Sequence, residues 1–165
     1  FISVMPSNLY GPNDNFDLET GHALAALLRK FHEAKVDNLE VVEVWGTGAP
    51  RREFLQADDL ADACFHIFNL PDRAFDRLIS GSEAPLVNIG IGKDISIIDL
   101  CYLIKEVVGF SGELVFDKNK PDGTFQKLLD ISKTSSFGWS AKTSLKDGIT
   151  SLYQWCLENS ETFER

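Results

Sequence analysis

The stretch Phe1-Ile2-Ser3-Val4-Met5-Pro6-Ser7-Asn8-Leu9-Tyr10-Gly11-Pro12-Asn13-Asp14-Asn15-Phe16 decides the fold. Residues 1–5 are a short, nearly continuous apolar run, the pattern of a buried strand. A polar loop follows, and Gly11-Pro12 turns the chain sharply. From Gly21 to about Lys35, Ala23, Leu24, Leu27, Leu28 and Phe31 recur at helical spacing. Asp14 or Thr20 is the expected N-terminal cap. In open α/β sheets, ligands bind beyond the carboxyl ends of strands, where Asn8 stands. Its amide suits a cofactor carboxamide. It equally suits an ordinary turn in which it satisfies backbone groups.

The alternation continues outward. Leu39 to Trp45 reads as a strand with Val42 and Val44 on one face, and Gly46-Thr47-Gly48-Ala49-Pro50 as a turn. Arg52 to Gln56 is a short strand or extended segment. Asp58 to Leu70 is an amphipathic helix with Leu60, Ala61, Cys64, Ile67 and Phe68 inward. Pro71 to Ala84, which includes Ser80-Gly81-Ser82, reads as an irregular connection. Leu86 to Ile89 is a strand, and Ser96 caps a helix to Val108 that buries Ile97, Leu100, Cys101, Ile104 and Val107. Leu114 to Phe116 and Lys127 to Ile131 are short strands. Leu145 to about Asn159 is a closing helix with Ile149, Leu152, Tyr153 and Cys156 inward. The fold class is α/β.

Composition narrows the functions. The 165 residues are 44% apolar, enough for a core and against a disordered chain. The net charge of −9 and the lack of a basic stripe argue against nucleic acid. No apolar run nears the roughly 18 residues that span a membrane, and no signal peptide is visible. Phe1 already stands inside a strand pattern, which points to a piece of a longer chain. Cys64, Cys101 and Cys156 are widely spaced on apolar helix patterns and form no metal-binding pair, so no metal is expected. They read as buried free thiols, which suits a reducing cytoplasm.

Four further segments carry chemistry. Arg51 and Arg52 offer forks suited to a pyrophosphate, and Trp45 a face for a base; a solvated arginine pair beside a core tryptophan fits the same residues. His22, at a helix start beside the polar loop, suits proton transfer near neutral pH, or is simply solvated. His32 and His66 read as structural or exposed. Asn88-Ile89-Gly90-Ile91-Gly92 lacks the third spaced glycine of a dinucleotide fingerprint and reads as a strand leaving through a turn. The polar loop Asp117 to Thr124 closes over an anionic ligand, with Lys120 or Lys127 near phosphate and Asp122 on a ribose hydroxyl, or is a solvated hairpin.

The order of these motifs is more specific than any one of them. Asn8-Leu9-Tyr10-Gly11-Pro12, then Arg52-Glu53-Phe54 with Asp58-Asp59, then Asn88-Ile89-Gly90-Ile91-Gly92 resembles the second half of an extended short-chain dehydrogenase/reductase. Gly21-His22, Val44-Trp45-Gly46-Thr47-Gly48 and Lys120-Pro121-Asp122-Gly123-Thr124 before Lys127-Leu128-Leu129-Asp130 narrow the resemblance to the GDP-L-fucose synthase family. It covers nearly all 165 residues. It implies that residues 1–165 are a C-terminal segment, made of the last strands of an NADP-binding Rossmann sheet and the smaller nucleotide-sugar lobe. The N-terminal half is the expected partner, and the full-length enzyme an expected homodimer.

The family epimerises C3 and C5 of GDP-4-keto-6-deoxy-D-mannose and reduces C4 with NADPH. Its acid/base pair is a cysteine and a histidine, and the histidine matches His22. Pro6, Ser7, Asn8, Leu9 and His22 match the NADP(H) side. Lys30, Trp45, Arg52, Asp122 and Lys127 match positions that hold the GDP-sugar. Three departures stand out: Lys30 where arginine is frequent, and Asn13 and Gln56 where histidine is common. The glycine-rich phosphate loop, the Tyr-x-x-x-Lys pair and a matching cysteine are not in this sequence. The expected alternatives are a GDP-sugar-binding module without catalysis, or a related NAD(P)-dependent nucleotide-sugar epimerase.

Overall fold

A computed structural model describes residues 1–80 and 84–163. Gly81 and Ser82 of the expected connection lie outside the described residues. The strands are β1 (Ser3–Pro6), β2 (Asn8–Tyr10), β3 (Val41–Trp45), β4 (Arg51–Arg52), β5 (Phe54–Gln56), β6 (Leu86–Ile89), β7 (Ile95–Ser96), β8 (Glu113–Asp117) and β9 (Gln126–Lys127). The helices are α1 (Ala23–Val36), α2 (Ala57–Phe68), α3 (Asp72–Ile79), α4 (Ile97–Val108), α5 (Ser132–Ser136) and α6 (Leu145–Glu158), with a short 3-10 helix at Ser160–Phe163. β1 pairs with β6, β2 with β5 and β3 with β8, all parallel. β4 runs antiparallel to β7 and parallel to β9.

Two cores result. The larger packs α1, α4 and α6 through Leu24, Leu28, Phe31, Leu100, Ile104, Ile149 and Leu152. The smaller gathers Leu55, Ala63, Ile67, Leu78, Val87, Ile89 and Trp139. β5 stands between them: Phe54 enters the first core and the next residue, Leu55, the second, as the alternation of a strand requires. Its partner β2 does the same, with Tyr10 in the first core and Leu9 against the second. Burial raises the pKa of the Tyr10 hydroxyl, helped by the nearby charges of Asp59 and Asp147.

Glu53 sits at the junction of β4 and β5 and is only 1% exposed. Its carboxylate accepts the Gly92 amide at 2.7 Å and the Leu129 amide at 3.0 Å. Its backbone carbonyl accepts the Asn8 side-chain amide at 2.7 Å and the Asn8 backbone N–H at 3.3 Å. One residue therefore joins the polar loop, the Gly90–Gly92 turn and the segment after β9.

Several expectations change. Residues 1–5 are not a buried strand: Met5 and Leu86, on one face of the β1–β6 pair, are exposed, and only the opposite face is packed, by Val87 and Ile89. α2 is rotated from the expected face. It buries Asp59, Ala63 and Ile67 and exposes Ala61, Cys64 and Phe68. Polar anchoring explains the rotation. Asp59 accepts the Lys142 and Thr143 amides at 3.3 and 3.0 Å, while Asp62 accepts the Trp139 ring N–H and the Lys142 ammonium, each at 2.8 Å. Cys101 and Cys156 are buried as expected; Cys64 is not.

α3 replaces part of the expected irregular connection, with Leu78 as its one buried residue. The strand expected over Lys127 to Ile131 shrinks to β9, and α5 follows it, its Thr134 hydroxyl donating to the Asn88 carbonyl. Ser96 caps α4, its hydroxyl accepting the Asp99 amide at 3.1 Å. α1 starts without a side-chain cap; His22 occupies the cap position, and Thr20 donates instead to Asp17. His32 is structural: it stacks on Phe163 with 4.5 Å between ring centroids and meets the Tyr153 hydroxyl at 3.1 Å. The His66 ring hydrogen-bonds the Phe137 carbonyl at 2.8 Å. No helix among the described residues is long and apolar enough to cross a membrane.

Glu53→Ala leaves the Gly92 and Leu129 amides without their acceptor, so urea unfolding should show a loss of about 3 kcal/mol, the sum of two hydrogen bonds to a charged group. A loss under about 0.5 kcal/mol would contradict the role given to this carboxylate.

Candidate functional site

Two adjoining cavities hold the residues singled out in the sequence. The first, of about 460 Å³, is lined by Lys30, Trp45, Arg52 and Asp122, together with Glu43, Leu27 and Ile97. The second, of about 610 Å³, is lined by Pro6, Ser7, Asn8, Leu9, His22, Glu53 and Lys127. They share a boundary in sequence and in space. Arg52 of β4, which lines the first, is the register partner of Lys127 of β9, which lines the second. At the start of α1, His22 lines the second and Ala23 the first. Lys127, grouped by sequence with the sugar-holding residues, thus lies with His22 and the polar loop.

α1 builds a wall of the first cavity because Ala23, Ala26, Leu27 and Lys30 recur on one side of the helix. The two alanines leave space, and Lys30 brings a charge to its end. Position 22 is set by its neighbour. A Cβ at Gly21 would overlap the carbonyl oxygens of Asp17 and Asn15, so only glycine lets the loop approach this closely. The His22 side chain is 79% exposed, with its Nδ1 3.7 Å from the Asp14 carboxylate. Phe16, earlier in the same loop, is buried edge-on against Phe163 at 5.5 Å.

The arginine pair divides. Arg51 Nε donates to Asp94 at 2.8 Å, and hydrogen bonds from Gln126 and Arg51 hold the Asp94 carboxyl below its usual range. Arg51 is therefore a structural ion pair and lines neither cavity. Arg52 lines the first cavity and donates from Nη1 to the Thr124 carbonyl at 2.6 Å and the Arg51 carbonyl at 2.8 Å. The loop from Asp117 to Thr124 folds over this cavity. Lys120 lies over the Trp45 ring at 5.0 Å, and Pro121, Asp122 and Gly123 line the space. Trp45 is 61% exposed, so its ring is available for stacking.

Asp122 ties this loop to the turn after β3. It accepts the Thr47 hydroxyl at 2.6 Å and the Thr47 amide at 2.8 Å, and these bonds lower its pKa. Gly46 sits at φ 81°, where a side chain would be strained and would meet the Asp122 carboxylate. The carboxylate is thus first a fastener for the cavity wall. Asn8 likewise satisfies a backbone carbonyl, the ordinary turn role, while lining the second cavity. Gln56, one of the departures noted above, caps α2 by accepting the Asp58 and Asp59 amides. Asn13, another, adopts φ 65°, a left-handed turn conformation that asparagine tolerates.

A nicotinamide cofactor fits one observation in the second cavity. The Ser7 hydroxyl oxygen is buried without a hydrogen-bond partner among the described residues, beside Asn8 and Leu9. Such an orphan calls for a polar partner, which a bound ligand supplies. No cysteine lines either cavity. Burial pushes the Cys101 and Cys156 thiols up to about 12, so neither is a thiolate near neutral pH. Glu43 and Glu53 went unnoticed in the sequence. The alternation of β3, which sets Glu43 on the same side as Trp45, was the signal for the first. Nothing in the sequence marks Glu53 as buried.

Known proteins share the sequence and the fold. The profile of the NAD dependent epimerase/dehydratase family matches residues 1–81. GDP-L-fucose synthase 1 of Arabidopsis thaliana is 56% identical over 96% of this chain and 46% of its own length. A GDP-6-OMe-4-keto-L-xylo-heptose reductase from C. jejuni superposes with a TM-score of 0.86 at 39% identity, over 96% of this chain and 54% of that one. A GDP-L-fucose synthetase from Naegleria fowleri bound to NADP gives a TM-score of 0.80 at 30% identity, over 98% and 48% respectively.

The fold is that of the extended short-chain dehydrogenase/reductases, NAD(P)-dependent epimerases and reductases. The chain is similar to GDP-L-fucose synthases over nearly all of its length, and it spans about half the length of the curated relatives it matches.

Because the Asp122 carboxyl is held below its usual pKa, the tie to Thr47 is present above the ordinary aspartate range and is lost as pH falls through the lowered value. Amide exchange should show Thr47 protected at pH 7, losing protection in acid below about pH 4, and unprotected throughout in Asp122→Ala. Equal protection of Thr47 in the two proteins at pH 7 would contradict the tie.

Proposed function

We propose that residues 1–165 form the C-terminal, GDP-sugar-holding part of a GDP-L-fucose synthase. The enzyme epimerises GDP-4-keto-6-deoxy-D-mannose at C3 and C5 and reduces it at C4 to GDP-L-fucose. The observation that carries this reading is the meeting of the two cavities along β4 and β9, with His22 and Lys127 in one and Lys30, Trp45, Arg52 and Asp122 in the other.

In the first cavity Lys30 and Arg52 attract the diphosphate, the lysine as a point charge and the arginine through its planar fork. Trp45 offers its ring to the base, while Asp122 keeps the surrounding turn closed. The sugar then extends past the Arg52–Lys127 boundary toward His22. Nδ1 of His22 faces Asp14, which leaves Nε2 to exchange a proton at the carbons flanking the ketone. Pro6, Ser7, Asn8 and Leu9 line the nicotinamide side, with the Ser7 hydroxyl as a donor. NADPH, when bound, supplies the hydride that reduces the ketone.

The acid/base partner of His22 and the phosphate-binding loop belong to the other half of the protein. That half also covers the exposed face at Met5 and Leu86, since parallel sheets are normally packed on both faces. The full-length enzyme is a cytoplasmic homodimer.

In the complete protein, His22→Gln should slow solvent deuterium exchange at C3 and C5 by about 10²–10⁴-fold while GDP-sugar affinity changes little. Unchanged exchange would remove the acid/base role. A second outcome concerns the 165 residues by themselves. Supplied with NADPH and the keto-sugar, they should give no turnover, and sustained NADPH oxidation without added protein would sink the assignment as a part of the site.

A further inference from the structure

The first cavity carries a group that neither its acid/base chemistry nor its phosphate contacts use. Glu43 lies on β3, two residues before Trp45, and both side chains project to the exposed side while Val42 and Val44 are buried. Glu43 lines the cavity together with Trp45. Its carboxylate has no hydrogen bond or ion pair among the described residues, whereas Asp122 is tied to Thr47 and Asp94 to Arg51. A free carboxylate is an unexpected lining for a cavity that also presents Lys30 and Arg52 to an anionic ligand. It repels phosphate, and it has no local partner to hold.

The walls separate these functions. Lys30 and Arg52 come from α1 and β4, and Glu43 and Trp45 from β3. An ionised carboxylate only accepts hydrogen bonds. Beside an aromatic ring on which a base stacks, it recognises a base edge with two adjacent donors. Guanine has such an edge in its N1–H and 2-amino groups. Uracil offers a single ring donor between two carbonyls, and adenine pairs its amino donor with a ring acceptor.

We propose that Glu43 is a specificity-determining residue, whose carboxylate accepts from the N1–H and 2-amino groups of guanine and so selects guanine nucleotides in this cavity. The inference rests on the nucleotide-sugar reading above and adds the residue that reads the base. A hydrogen bond to an ionised group in a partly shielded site discriminates by about tenfold or somewhat more.

The test is calorimetry on the complete protein with GDP, inosine diphosphate and UDP, for the native sequence and for Glu43→Gln. Inosine diphosphate keeps N1–H and lacks the 2-amino group. The native protein should bind GDP about tenfold more tightly than inosine diphosphate, and Glu43→Gln should bring the two to near equality, chiefly by weakening GDP. Glu43→Val should do the same, with thermal stability unchanged because the side chain is exposed. If native protein and variants keep the same ratio of GDP to inosine diphosphate affinity, or the native ratio is already near one, the role of Glu43 is overturned while the nucleotide site stands. If none of the three nucleotides binds, or UDP binds best, the nucleotide-sugar reading with GDP falls, and Glu43 with it.

Discussion

The Glu53 carboxylate holds together segments that otherwise have little reason to meet. Burying a charge is costly unless its lone pairs are satisfied. Here the Gly92 and Leu129 amides satisfy them, and the Glu53 carbonyl in turn secures Asn8. These are the ends of a glycine turn, the segment after β9 and the polar loop after β1. Each contributes to the second cavity or lies directly beside it. Glu53 also lies directly between β4 and β5, so the same anchor sits next to Arg52, which enters the first cavity from β4.

From that anchor the remaining geometry follows by local means. α1 carries a proton-transfer candidate at its first turn and a lysine two turns on, and its small residues open the wall between them. The loop before it is fixed from the far side of the molecule, since Phe16 packs edge-on against Phe163 and Phe163 stacks on His32. The C-terminal turn thereby holds the loop that presents His22. Asp122 plays the matching part at the other mouth, fastening the loop after β8 to the turn after β3.

Helices with strong periodicity were legible in the sequence. α1, α4 and α6 fall within a few residues of their expected spans, because each packs a wide apolar stripe into one core. α2 was legible as a helix but not in its orientation: the buried carboxylate of Asp59, not the apolar residues, chooses which face turns inward. α3 escaped notice because its eight residues show the apolar pair Phe75 and Leu78 over barely two turns, and α5 because its five residues include no apolar one. The expected site residues do come together around two cavities. Their motif order resembled a known family, and long-range pairings such as β4 with β9 bring them near each other. What no local pattern revealed was charge used against type: an arginine taken up by Asp94, an aspartate that fastens a turn, and a glutamate inside the fold.

The placement of β2 and β5 between two cores has a consequence for how such a protein changes over generations. The wall that carries Lys30 and Trp45 is built on the larger core, through α1 and β3, whereas the polar loop is shared between the two, with Tyr10 and Phe16 in the larger core and Leu9 against the smaller. A substitution at Leu9, unlike one at Tyr10 or Phe16, therefore reaches the polar loop without touching the packing behind that wall. The same fold is shared by proteins described as a GDP-L-fucose synthetase and as a heptose reductase.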